Sequence, residues 1–191
     1  MIPAWLRGMW PAIAVVAVLQ SAVLGWMVLD RRSLLTNGEE IVLPIVPVDP
    51  RSLFRGDYVI LSYDISRIPG ELVRDELTRG DELYVTIERQ PDEPYKPVAV
   101  SKRYPGKVPS GQIVLQGWLQ HGRVPRGRSP STIAVRYGIE SYFVQEDTGT
   151  ALENTARERK LAAVVAVDGN GRAGIKGLVI DGKRVYDEPL F

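Results

Sequence analysis

"DYVILSYDI", residues 57–65, is the stretch whose reading decides the fold. Val59, Leu61, Tyr63 and Ile65 point one way, while Tyr58, Ile60, Ser62 and Asp64 point the other. A period of two marks a half-buried strand, and the helical period of 3.6 does not fit it. The pattern recurs on both sides. "ELYVTIER" (82–89), "KPVAVSKRY" (96–104), "QIVLQGWLQ" (112–120) and "TIAVRYGIESYFV" (132–144) read as strands separated by Pro- and Gly-bearing turns. "IVLPIVPV" (41–48) is β-branched, but Pro44 and Pro47 confine it to an edge or an irregular strand.

The C-terminal part reads as a meander. "LAAVVAV" is followed by a turn at "DGNG" (168–171), then "RAGIKGLVI", a turn at Asp181-Gly182, and "KRVY". Two helical segments break the series. "EDTGTALENTARERK" (146–160) is rich in good formers with Thr150 as a candidate N-cap, and "ELVRDELTRG" (71–80) suits a short helix ended by Gly80. Many short strands with one or two short helices predict a mainly β domain, a compact β-barrel or sandwich.

At the other end, "WPAIAVVAVLQSAVLGWMVL" (10–29) runs for 20 residues without a charge. As a helix rising about 1.5 Å per residue it spans roughly 30 Å, the thickness of a bilayer core. Pro11 falls in the first turn, where helices tolerate proline, and Trp5, Trp10 and Trp26 lie near the ends, where indoles prefer the membrane interface. A cleaved signal peptide would have a shorter apolar core and a small-x-small site after it, and an uninterrupted apolar circumference of this length favours lipid over a buried core position. The predicted organisation is a cytoplasmic head (1–9), a transmembrane signal anchor (10–29), a polar tether (30–40) and an extracytoplasmic β-rich domain (41–191). The positive-inside count is nearly tied, Arg7 and the amino group against Arg31 and Arg32. The short head favours the N-terminus inside.

Composition excludes several chemistries. The chain has 24 basic and 23 acidic residues, so no basic field draws it to nucleic acid. It has no cysteine, which removes disulfides, zinc–thiolate sites and thiol nucleophiles, and His121 is its only histidine, which disfavours His-based metal sites and triads. Nothing in the pattern calls for a cofactor.

"GDYVILSY" (56–63) matches the pattern G-D-Y-x-x-L-x-Y letter for letter, and the chain resembles the GDYXXLXY family of bacterial membrane-anchored proteins. The lead-in "PVDPRSLFRGDY", the segment "RYGIESYFV" and the terminal "AAVVAVDGNGRAGIKGLVIDG" resemble that family too. The family is one of unassigned molecular function, and the resemblance implies a single N-terminal span and a polytopic membrane partner; with the anchor and the lack of a catalytic constellation, the expected role is that of an accessory or binding domain. The resemblance implies no reaction. The motif residues Gly56, Asp57, Tyr58, Leu61 and Tyr63 read physically as a corner. Gly56 permits a tight approach, Asp57 locks the turn by accepting backbone amides, and Leu61 and Tyr63 point inward. The alternative is a ligand site on Asp57 and Tyr58. Glu140 and Tyr142 share a strand face and, with Tyr58, suggest a groove.

An enzymatic reading competes with this one. Signal peptidase-like Ser/Lys hydrolases carry a similar Gly-Asp-x-Val strand entry, with a lysine base further on. Here Ser52 stands at the pattern's threonine, Val48 at the nucleophile, and Lys102 near the lysine segment. A Ser/Lys pair needs a serine and a desolvated lysine, so Ser52/Lys102 is the weaker alternative. A barrel holding a small molecule or lipid is another. The pairs Asp81-Glu82 and Asp92-Glu93 read as loop charges, Arg123, Arg126 and Arg128 as a solvated basic loop, and "GNGRAG" (169–174) as a hairpin turn rather than a phosphate loop.

Overall fold

The computed structural model describes residues 4–46, 58–90, 93–125, 132–143, 155, 158 and 160–187, with the backbone alone at 4–10, 58, 59, 93, 143 and 186. One helix, α1 (Ala4–Asn37), leads into strands β1 (Glu39–Val46), β2 (Tyr58–Ile60), β3 (Ser62–Tyr63), β4 (Arg67–Pro69), β5 (Leu77–Thr78), β6 (Glu82–Gln90) and β7 (Glu93–Ser101). Then follow β8 (Gln112–Leu119), β9 (Arg123–Val124), β10 (Thr132–Arg136), β11 (Ser141–Phe143), β12 (Leu161–Val167), β13 (Ala173–Ile180) and β14 (Lys183–Asp187).

Two five-stranded antiparallel sheets carry the fold, in the orders β14-β13-β12-β1-β3 and β4-β10-β8-β6-β7. Their inward side chains meet in one core: Ile41, Leu43 and Val165 from the first sheet, and Val85, Ile87 and Leu115 from the second, are all buried. Each sheet contributes the alternate residues of its strands, as the period of two requires. Among the described residues the sheets do not close into a barrel. The mainly β domain behind an apolar helix is therefore as the patterning predicts.

The prolines sit where a ladder can spare a donor. β1 pairs with β12 from Glu39 as far as Pro44, and β3 takes over from Ile45. Pro94 and Pro97 lie on β7, an edge strand. At the last turn, Asp181 (φ 50) and Gly182 (φ 77) both adopt the left-handed conformation that a two-residue hairpin demands.

Three expectations are corrected. The stretch read as a tether is helical as far as Asn37, because Leu34 and Leu35 gain burial, 7% and 3% exposed, once they pack on the domain. The helix predicted over 71–80 is absent. Gly70–Leu72 forms a single 3-10 turn, Val73 bridges to Val100, and β5 pairs with β9. Gly80 (φ 85) instead closes a turn in which the Asp81 amide donates to the Thr78 carbonyl, at 2.9 Å. Long-range pairing thus overrides helix propensity. The run 132–144 is two strands, β10 and β11, parted at Gly138 (φ 81). The helix predicted over 146–160 lies almost wholly outside the described residues, of which Thr155 is helical.

Candidate functional site

The family-like motif lies where the chain changes sheets. β2 pairs with β11, with Tyr58 opposite Phe143, then β3 joins the first sheet beside β1, and after a 3-10 turn at Asp64–Ser66 β4 joins the second beside β10. Leu61 stands at the handover, its amide donating to the Glu140 carbonyl at 2.8 Å. Its side chain and that of Tyr63 are fully buried.

Two tyrosines cross-brace this corner. The Tyr63 hydroxyl donates to the Ile139 carbonyl at 2.8 Å, and the Tyr137 hydroxyl donates to the Ile65 carbonyl at 2.6 Å. Each segment thereby satisfies a backbone acceptor of the other inside the core, where an unmet polar group is costly. Burial pushes both phenols well above the ordinary tyrosine value, and the negative charge of Glu140 adds to the shift. The Glu140 carboxylate accepts the amides of Tyr137 (2.6 Å) and Gly138 (2.9 Å), which holds the turn that carries Ile139. Tyr142 is buried at 6% exposure. The tyrosine at 137 was missed in the sequence. Its signal was the first aromatic of "RYGIESYFV", one residue after Arg136 and so on the opposite face of the alternation.

Gly56, Asp57 and Ser52 lie outside the described residues, as do Arg126, Arg128 and Asp92, and of Tyr58 the backbone alone is described. Lys102 is exposed, 51% for its side chain, and its ammonium pairs with Asp81 at 2.8 Å while its amide donates to Asp75. That is the reverse of the desolvated, unpaired setting a lysine base needs. Arg123 pairs with Glu76. "GNGRAG" is a hairpin turn: Asp168 accepts the amides of Asn170 and Arg172, both at 2.9 Å.

The second constructed feature is the joint between helix and domain. Arg172 donates through both terminal nitrogens to Asp30, at 2.7 and 3.0 Å, and through Nε to Asp168 at 2.7 Å. The pairing of Arg172 with two carboxylates holds its guanidinium far above its ordinary value. Glycines bring the elements close. A Cβ on Gly174 would stand 2.6 Å from the Arg31 guanidinium, and one on Gly38 would stand 2.6 Å from the Leu34 carbonyl and 3.0 Å from the Val167 amide. Beyond the joint, Glu40 binds Lys176, which holds its carboxyl below the usual carboxylate range.

Two open cavities lie at opposite ends of β8. One, of about 330 Å³, borders α1 and the β12–β13 turn and is lined by Asn37, Glu39, Tyr104, Val108, Ile113 and Asp168 among others. The other, of about 430 Å³, is lined by Arg79, Gly80, Trp118, Leu119, His121 and Arg136, with Gln120 beside them.

α1 contains a segment, Pro11–Asn37, long and apolar enough to cross a membrane, with a mean hydropathy of 2.2 over its 18-residue apolar window. No curated protein and no solved structure matches the chain. The family profile described as "GDYXXLXY protein" matches residues 20–178, from within α1 to within β13. With its apolar N-terminal helix, its β-rich domain and that match over most of its length, the chain belongs to the GDYXXLXY family.

Proposed function

We propose that the protein is a single-span membrane protein with its N-terminus inside and its β domain outside the cytoplasm, acting as an accessory subunit of an integral membrane partner. The observation that carries the reading is the continuity of α1. Its apolar segment exposes bulky side chains on all sides, among them Val18 (68%), Trp26 (74%) and Leu29 (65%). Without a break, the same helix runs on into the joint formed by Asp30, Arg172, Leu34 and Leu35.

A flexible tether would let a domain roam above the bilayer. A continuous helix instead holds the domain at one height and one rotational setting, which serves a role in which the domain meets a partner in the same membrane. Lipid covers such an apolar circumference at no cost, and a partner's helix covers part of it equally well.

Co-purification in mild detergent tests the partnership: an integral membrane protein is expected in stoichiometric yield, and recovery of this chain alone sinks the reading. One alanine inserted between Leu29 and Asp30 turns the domain by about 100° relative to the span. The insertion is expected to abolish co-purification while the domain stays folded. Topology has a clean assay, because the chain contains no cysteine. A Lys183→Cys variant is expected to react with a membrane-impermeant thiol reagent in intact cells. Protection there, with reaction after lysis, would reverse the orientation.

A further inference from the structure

The 430 Å³ cleft at the end of β8 remote from α1 is lined, among the described residues, by two arginines and no carboxylate. At this end of the domain Glu76 pairs with Arg123 and Asp81 with Lys102, whereas Asp75 and Glu82 accept hydrogen bonds from neutral donors, the Lys102 amide and the Tyr84 hydroxyl. Binding to Lys102 and to the Thr78 amide keeps Asp81 below the ordinary carboxylate value, so that charge is committed. Arg79 and Arg136 line the cleft, and among the described residues neither has a carboxylate partner. His121, the single histidine of the chain, shares the opening with them.

An aromatic side chain lines the cleft with the cations. Trp118 is half-buried and sits opposite Arg136 in the β8–β10 ladder, and buried Leu119 also lines the cleft. Gly80 adds no bulk at the rim, since a Cβ there would meet nothing within 4 Å. Two fork-shaped guanidiniums suit a planar carboxylate, which can accept two parallel hydrogen bonds from one fork and a further bond from the other. An indole face beside them favours a flat, unsaturated body over a bare inorganic anion. The volume lies within the range of small-ligand sites.

We propose that this cleft binds a small organic anion, a carboxylate on a planar or aromatic body, with Arg79 and Arg136 holding the charge and Trp118 the ring. The proposal is independent of the accessory role, since it rests on the end of β8 remote from the joint.

The test uses the full-length protein in mild detergent with benzoate as the probe, followed by calorimetry and indole fluorescence. Benzoate is expected to bind saturably and to perturb the emission, and the perturbation is expected to vanish in Trp118→Phe. An Arg79→Ala/Arg136→Ala double variant is expected to bind at least tenfold more weakly with an unchanged denaturation midpoint. Arg103→Ala/Lys107→Ala removes the same charge from the loop of the other cavity and is expected to bind as the parent does. Benzamide, uncharged and of the same shape, is expected not to bind. Equal affinity in the Arg79/Arg136 variant, equal loss in the Arg103/Lys107 variant, tighter binding of inorganic phosphate than of benzoate, or no saturable binding each overturns the proposal.

Discussion

The chain is fastened at two places, the tyrosine corner and the helix–domain joint, and they are made by opposite means. At the corner, two neutral hydroxyls reach buried carbonyls, with Tyr63 and Tyr137 only 1% and 3% exposed. At the joint, a guanidinium bridges two carboxylates with 44% of its side chain exposed and 40% of that of Asp30. A neutral lock in the core derives its strength from desolvation, so it tolerates salt and fails when a hydroxyl ionises or a ring is lost. A charged lock in water is screened by salt and stores little stability. The corner therefore holds the domain together, whereas the joint orients it.

Removing the ring should show the largest contrast. Tyr63→Ala is expected to cost about 3–5 kcal/mol by analogy with large-to-small aromatic changes, read as a lower midpoint in denaturant. A midpoint within error of the parent would mean that the corner does not hold the sheets. Alkali should also separate the two regions. Both phenols titrate above the unfolded value near 10, so the unfolded chain loses protons first as the pH passes 10. Stability is then fully present below pH 10 and declines above it, by about 1.4 kcal/mol per pH unit for each tyrosine. A flat stability curve between pH 10 and 11 would contradict the burial of these hydroxyls.

Smaller effects are expected at the joint. Gly38→Ala places a methyl group against two backbone atoms, and overpacking of this kind costs about 1–3 kcal/mol. A spin label at Thr36→Cys would gain mobility as the last turn moves off the sheet. Arg172→Gln is expected to leave the denaturation midpoint unchanged while raising the mobility of that label, and high salt should mimic it. A large drop in midpoint would make the joint part of the core and erase the contrast.

Much of this architecture was legible in the residues. Alternation located β6 and β8, and turn signals β12 and β13, to within a residue or two, and Asp181-Gly182 announced its hairpin because few other pairs accept φ > 0 twice. The inward face of Leu61 and Tyr63 was likewise readable, since period and hydrophobicity agree there. Other features were not. "ELVRDELTRG" has good helix formers, yet Val73 and Leu77 are spent on different partners, Val100 and Val124. The pairing of Tyr63 with Ile139, and of Tyr137 with Ile65, joins residues 76 and 72 apart. No local rule expresses such a distance.

By itself the sequence determined the elements and their faces: an apolar helix of membrane length, strands of period two, and turns where only glycine or a short polar residue fits. Those properties are local, being set by the sterics and solvation of a few consecutive residues. Tertiary structure decided which faces met. It drew the supposed tether into α1 by burying Leu34 and Leu35, brought Arg172 to Asp30 across 142 residues, and left Arg79 and Arg136 facing one cleft while nearby carboxylates bound other partners. Those outcomes follow from the competition of remote groups for the same burial and the same charges, which exists only once the sheets have packed.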